Sequence, residues 1–195
     1  MTAVYELASA AVLLGWLLSR LLGLALPVRR ATLTGFGLAI LIVSLSFSSF
    51  TTGMFIGLLA PFGVLVPALA LQNSARAIGM DTRRYSVTEM LGLWVFYLMF
   101  LTASAGVFDW DPYRFGYAAP GAATVALAMA AYAVWRGHVV VLASVVLAQA
   151  LWLADIGSSN FYDQISHVLL VFILPISALR SATQKPKPNP DGENR

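Results

Sequence analysis

Apolar stretches of about 20 residues, each long enough to cross the hydrocarbon layer of a membrane, follow one another along almost the whole of this chain. The short loops between them hold nearly all of the charge. Drawn as consecutive spans with loops on alternate sides, they place Arg20, Arg29, Arg30, Arg76, Arg83, Arg84, Arg136, Arg180, Lys185, Lys187 and Arg195 together. Only Arg114 remains opposite. Such segregation follows the positive-inside rule and predicts an amino terminus outside the cell membrane and a carboxyl terminus inside.

A water-facing surface cannot be built from this composition. Charged residues make up 11% of the chain and hydrophobic ones 59%, whereas a soluble domain is roughly a quarter charged. At about 20 residues per span, six to eight helices use nearly all of the 195 residues, so no soluble catalytic domain fits. The net charge of +3 does not point to nucleic acid, because the cations are scattered over helix ends instead of gathered on one face. The expected outer side carries Glu6, Asp109, Asp111, Asp155 and Asp163, and the inner side Asp81, Glu89, Asp191 and Glu193. With no cysteine there are no disulfides, thiol nucleophiles or thiolate metal sites.

The fold class expected is all-α, a polytopic membrane helix bundle of about seven transmembrane helices, N-out/C-in. The spans are Val4–Leu26, Thr32–Phe50, Met54–Gln72, Val87–Val107, Ala118–Trp135, Val139–Leu153 and Phe161–Leu179. Periodicity does not set these limits, since a lipid-embedded helix is apolar nearly all round; turn residues and charges do. The first span has no basic flank ahead of it and is expected to persist, not to be cleaved as a signal peptide. Residues 1–180 then form the transmembrane domain, and 181–195, rich in Pro and Lys, a disordered cytoplasmic tail.

The start of the last span is the most suggestive place for chemistry. On one continuous helix Asn160, Asp163 and His167, spaced i, i+3, i+7, fall within about 60° of one another, and His167 lies roughly 9 Å below the helix start. Asp155, with Ser158 and Ser159, closes the preceding helix near the same opening. An ionisable group at this depth is costly and usually kept for a purpose. Asp163 orienting His167 would make an outward-facing proton-responsive or cation-responsive pocket, or give a general base. The plainer alternative is a helix-start carboxylate favoured by the N-terminal dipole, with His167 bonded to a neighbouring helix. His138, expected at the cytoplasmic end of the sixth span, is too far away to join His167 on a metal or haem, so no metal or cofactor is expected.

A second cluster, Asp109, Asp111 and Arg114 among Trp110, Tyr113 and Tyr117, either caps that pocket as a ligand-binding loop or forms an interfacial aromatic belt shaped by Pro112. The run Asp109-Trp110-Asp111-Pro112-Tyr113, after an aromatic-rich helix, resembles a loop of the amide and proton-gated urea channels. That family has six spans, and the charge rule puts this loop on the opposite side, so no function is carried over.

Elsewhere, Pro61 and Pro67, with Ser44, Ser46, Ser48 and Ser49, either mark broken helices lining a polar path or are kinks whose freed carbonyls the serines satisfy. Arg20 snorkels to the inner head groups or acts as a buried counter-charge. Ala118, Ala122, Ala126 and Ala130 form a small-residue face for close packing, within the chain, with another membrane protein or between copies. No span contains Lys, which excludes a retinal Schiff base, and there is no phosphate loop, serine elbow or His-Glu-x-x-His helix. The leading functional expectation is therefore a non-catalytic membrane subunit or assembly partner in the cell inner membrane. The alternatives are a small-solute, proton or cation transporter gated by Asp163 and His167, and an outer-leaflet lipid-modifying enzyme with His167 as general base.

Overall fold

A computed structural model describes residues 2–45 and 63–183. Pro61, Ser46, Ser48, Ser49 and most of the proposed tail, with Lys185 and Lys187, lie outside the described residues. Among those described, regular structure is helical throughout, with no strand: α1 (Thr2–Leu22), α2 (Val28–Leu45), α3 (Leu65–Ala77), α4 (Val87–Ser104), a 3-10 helix (Pro112–Tyr117), α5 (Ala119–Arg136), α6 (Val139–Leu153), α7 (Phe161–Ile165) and α8 (Leu170–Thr183). Within α1 the run Val4–Leu22, and α2 and α4 in full, are long and apolar enough to cross a membrane, while α6 and α8 are apolar but shorter.

The helix boundaries follow local chemistry. Ser86 accepts from Glu89 N at 3.1 Å while Glu89 Oε2 accepts from Ser86 N at 3.2 Å, a reciprocal capping box that starts α4. Gly137, at φ +66°, ends α5 in the left-handed conformation that glycine adopts without steric cost. Pro67 falls in the first turn of α3, where a missing N–H forfeits no helix bond, so it does not kink the helix as a mid-span proline would.

Small residues set the packing. Ala31, Gly35 and Ala39 recur every fourth residue on α2 and are buried against α1, so closely that a Cβ on Gly35 would lie 2.6 Å from Ser19 N. Ala122, Ala126 and Ala133 of α5 pack with Val141, Val145 and Ala148 of α6, and Phe161 and Ile165 of α7 close this core. Of the predicted alanine face, Ala122 and Ala126 are thus buried inside the chain, Ala130 packs on the same cluster, and Ala118 is exposed ahead of the helix.

The last span is not one helix. The chain leaves helical geometry at Ser166 (φ −112°, ψ 166°), dividing Phe161–Leu179 into α7 and α8. A distant segment occupies the gap: Val64 N donates to Gln164 O at 2.9 Å, and a Cβ on Gly63 would lie 2.2 Å from Ser166 O. A carbonyl that would have served the next helical turn is thereby given to another part of the chain. The continuous stripe Asn160, Asp163, His167 consequently does not exist; Asn160 caps α7 in extended conformation, and His167 lies beyond the break.

Pro175 inside α8 has no N–H for the carbonyl of Val171, four residues earlier. Trp94 of α4 supplies one instead, its indole Nε1 donating to Val171 O at 2.8 Å. In hydrocarbon an unpaired carbonyl costs several kcal/mol, so this bond holds α4 to α8 where packing alone would leave a polar defect. Trp94→Phe keeps the aromatic bulk and removes the donor. It should cost about 1–3 kcal/mol, read as a lower thermal midpoint in detergent; an unchanged midpoint would show that Val171 O has another donor.

The described helix ends sort by charge. Arg20 of α1 bonds Asn73 of α3, Tyr85 ahead of α4 bonds Gln72 at 3.2 Å, and Glu89 of α4 meets Arg136 and His138. This is the basic end. At the acidic end the 3-10 helix with Asp111 meets α7 with Asp163, and Val64 ahead of α3 joins them through Gln164.

Candidate functional site

Two polar clusters stand at opposite ends of α6, whose 15 residues span about 22 Å. At the acidic end, Asp111 accepts from Tyr113 N at 2.9 Å and Pro112 occupies the first position, which starts the 3-10 helix. That turn presents the Tyr113 hydroxyl to the Asp163 carboxylate, which it donates to. Ser158 Oγ donates to the same oxygen, Oδ2, at 3.3 Å. Burial first, and then the hydrogen bond to Asp163 and its charge, push the Tyr113 phenol well above its ordinary value, so it stays a neutral donor.

Asn160, 1% exposed, holds this arrangement in place. Its Nδ2 donates to Tyr113 O at 3.0 Å, its Oδ1 accepts from Tyr162 N at 2.8 Å, and its own N–H donates to Ser158 Oγ at 3.1 Å. Gly116 is required opposite, because a Cβ there would lie 2.1 Å from Asn160 Oδ1. Tyr162 is tilted against Phe100 with ring centroids 4.5 Å apart, so α4 is tied in as well.

Of the residues singled out in the sequence, Asn160 and Asp163 come together, joined by Ser158 and Tyr113. His167 stands past the helix break, its Nδ1 accepting from Leu169 N at 3.2 Å and so starting the turn into α8. Asp109, Arg114 and Asp155 are exposed, with Asp155 at φ +54° in the turn after α6. Among the described residues the ion pairs both fall on Glu89, and no three His, Asp or Glu side chains gather as a metal site would need.

The basic-end cluster is one that sequence reasoning missed. Glu89, with a side chain 6% exposed, accepts from Ser86 N, the Tyr132 hydroxyl, Arg136 Nε at 3.2 Å and Nη2 at 3.4 Å, and His138 Nε2 at 2.6 Å. His138, 2% exposed, lies against the Tyr85 ring at 4.4 Å, and its Nδ1 has no hydrogen-bond partner. Burial, and next the Glu89 charge, push the Tyr85 phenol up to about 12. Ser86-Val87-Thr88-Glu89 ahead of an apolar run is a legible capping signature, and Tyr132 and Arg136 share a helix face four residues apart. Their convergence with His138 on one carboxylate is not legible.

Two cavities lie elsewhere. One of about 140 Å3 sits between α1, α2 and α3 beside Arg20, and a shallower apolar groove of about 380 Å3 runs between α3 and α6. Neither is lined by Asp163 or His167. Chemically, both polar clusters are hydrogen-bonded networks that join helix ends. Compared with protein families, with curated proteins and with solved structures, the chain matches none.

Proposed function

We propose that this chain is a seven-pass protein of the cell inner membrane, amino terminus outside and carboxyl terminus inside, that serves as a non-catalytic subunit or assembly partner of a membrane complex. The membrane character follows from three helices long and apolar enough to span. Seven passes and the orientation rest on the charge sorting of the loops, with which the basic and acidic ends of the described bundle agree in sense.

One observation carries the subunit reading: Asp163 is engaged by Tyr113 and Ser158 as a brace between helix ends. A transporter gate or an enzyme acid–base pair needs its ionisable groups turned toward a solute. The outward-facing helix surfaces, by contrast, are broadly apolar, with Phe96, Leu127, Trp135 and Phe172 each more than half exposed. With Ala122 and Ala126 packed inside the chain, such side chains are what a partner helix would meet.

The test replaces Asp163 by Asn and His167 by Gln in the full-length chain, expressed in its native cell with a fluorescent reporter after Arg195. The expected result is a reporter that matures on the cytoplasmic side, migration on native gels in an assembly larger than the 20.9 kDa chain, and full rescue of a deletion strain by both variants. A variant made at the normal level that behaves like the deletion would overturn the subunit reading. Loss of ion or solute flux would then indicate transport, and loss of a lipid product would indicate an enzyme.

A further inference from the structure

Arg20 projects from the last turn of α1 into the 140 Å3 cavity, held there by a hydrogen bond from its Nη2 to Asn73 Oδ1. The same Asn73 oxygen accepts from Trp16 Nε1 at 3.5 Å, so the acceptor is itself anchored to α1. The charge of Arg180, at the end of α8, adds to the positive potential at Arg20. Among the described residues neither guanidinium has a carboxylate partner, because both ion pairs are taken by Glu89. Arg29 and Arg30 are exposed on the adjoining first turn of α2. Arg20 therefore lines the recess with no described carboxylate paired to it, and two more cations follow Val28 of its rim in sequence.

The recess also has an apolar mouth. Leu24 and Val28 line it and are 88% and 52% exposed, and Leu21 beside Arg20 is 56% exposed. Both α1 and α2 end here after crossing-length apolar runs, which is the depth of head groups for a chain lying in a bilayer. Basic pockets between transmembrane helices suit anionic head groups: guanidinium forks match phosphate oxygens, and leucines accept the glycerol and the first methylenes.

We propose that the cavity between α1, α2 and α3 binds the phosphate group of an anionic membrane phospholipid, with Arg20 as its principal cation. The exposed Leu21, Leu24 and Val28 are what favour a lipid over a free phosphate ion. The site is independent of the subunit reading, since it uses none of the residues on which that reading rests.

The full-length protein, purified in detergent and stripped of lipid, is titrated with dioleoyl phosphatidylglycerol, with dioleoyl phosphatidylcholine and with inorganic phosphate, and bound species are counted by native mass spectrometry. Phosphatidylglycerol should bind preferentially, and Arg20→Gln should weaken it about tenfold, equivalent to about 1.4 kcal/mol. Arg20→Lys, which keeps the charge and loses the fork, should weaken binding less than Arg20→Gln, and Arg114→Gln at the opposite end should change nothing. Equal binding of the two lipids, or undiminished binding by Arg20→Gln, overturns the site. Displacement of the lipid by millimolar inorganic phosphate overturns the lipid as occupant and assigns a soluble phosphate instead. If Arg20→Gln does not fold for want of its Asn73 bond, Leu24→Glu, which sets a negative charge at the exposed mouth without touching that bond, gives the same reading: a several-fold loss supports the site and none refutes it.

Discussion

Replacing Glu89 by Gln is expected to destabilise the protein more than any other single polar substitution, by about 3–5 kcal/mol. Five donors, three from α5 and one each from the cap residues Ser86 and His138, converge on this one carboxylate, and an amide presents hydrogens where a charged acceptor is needed. Arg136, with a side chain 36% exposed, can turn to water, but His138, at 1%, cannot. The loss therefore falls mainly on the imidazole and the Tyr132 hydroxyl, which keep their burial and lose their acceptor. Tm of the detergent-solubilised protein should fall by roughly 10 °C. Tyr132→Phe and His138→Ala should each cost less, and a double-mutant cycle with Glu89→Gln should show strong coupling. Additive effects would mean that the helices are held by packing and that the carboxylate is incidental.

Asn160→Ala should follow closely, at about 2–4 kcal/mol, because it strands two buried backbone groups, the Tyr113 carbonyl and the Tyr162 N–H, at about 1–3 kcal/mol each. Its effect should be local. Amide hydrogen exchange is expected to rise in the 3-10 helix and α7 before it rises in α1 and α2, since those elements meet through Asn160 and Asp163. Gly116→Ala should reproduce the change from the other side by driving a methyl group into Asn160. Asp163→Asn keeps an acceptor for Tyr113 and should cost far less, which is why it serves as a clean probe of function. A protein unaffected by Asn160→Ala would mean that the acidic end is organised by its aromatic contacts alone.

The difference between these two clusters reflects what a linear pattern can carry. The Asp163 region drew attention because ionisable residues stand close together in sequence inside an apolar stretch, and Asn160, Ser158 and Asp163 do converge. The same pattern suggested a continuous helix carrying His167, and that failed, because the backbone near Gly63, about 100 residues earlier, takes the Gln164 carbonyl. Glu89 was counted only as an inner-side charge, since its partners Tyr132, Arg136 and His138 lie 43, 47 and 49 residues away.

From the sequence by itself come the helical class, apolar runs of membrane-crossing length, the sorting of cations to one end, and the starts and stops at Ser86, Pro112 and Gly137. Each depends on residues within a few positions of one another: apolar length, loop charge, a capping side chain, a proline or a glycine in a turn. Only the tertiary structure decided that the last span breaks at Ser166, that Trp94 answers the carbonyl freed by Pro175, and that Glu89 and Asp163 become braces. A backbone or side-chain group in an apolar interior must find a partner wherever the packed helices place one, and that position is a property of the whole bundle.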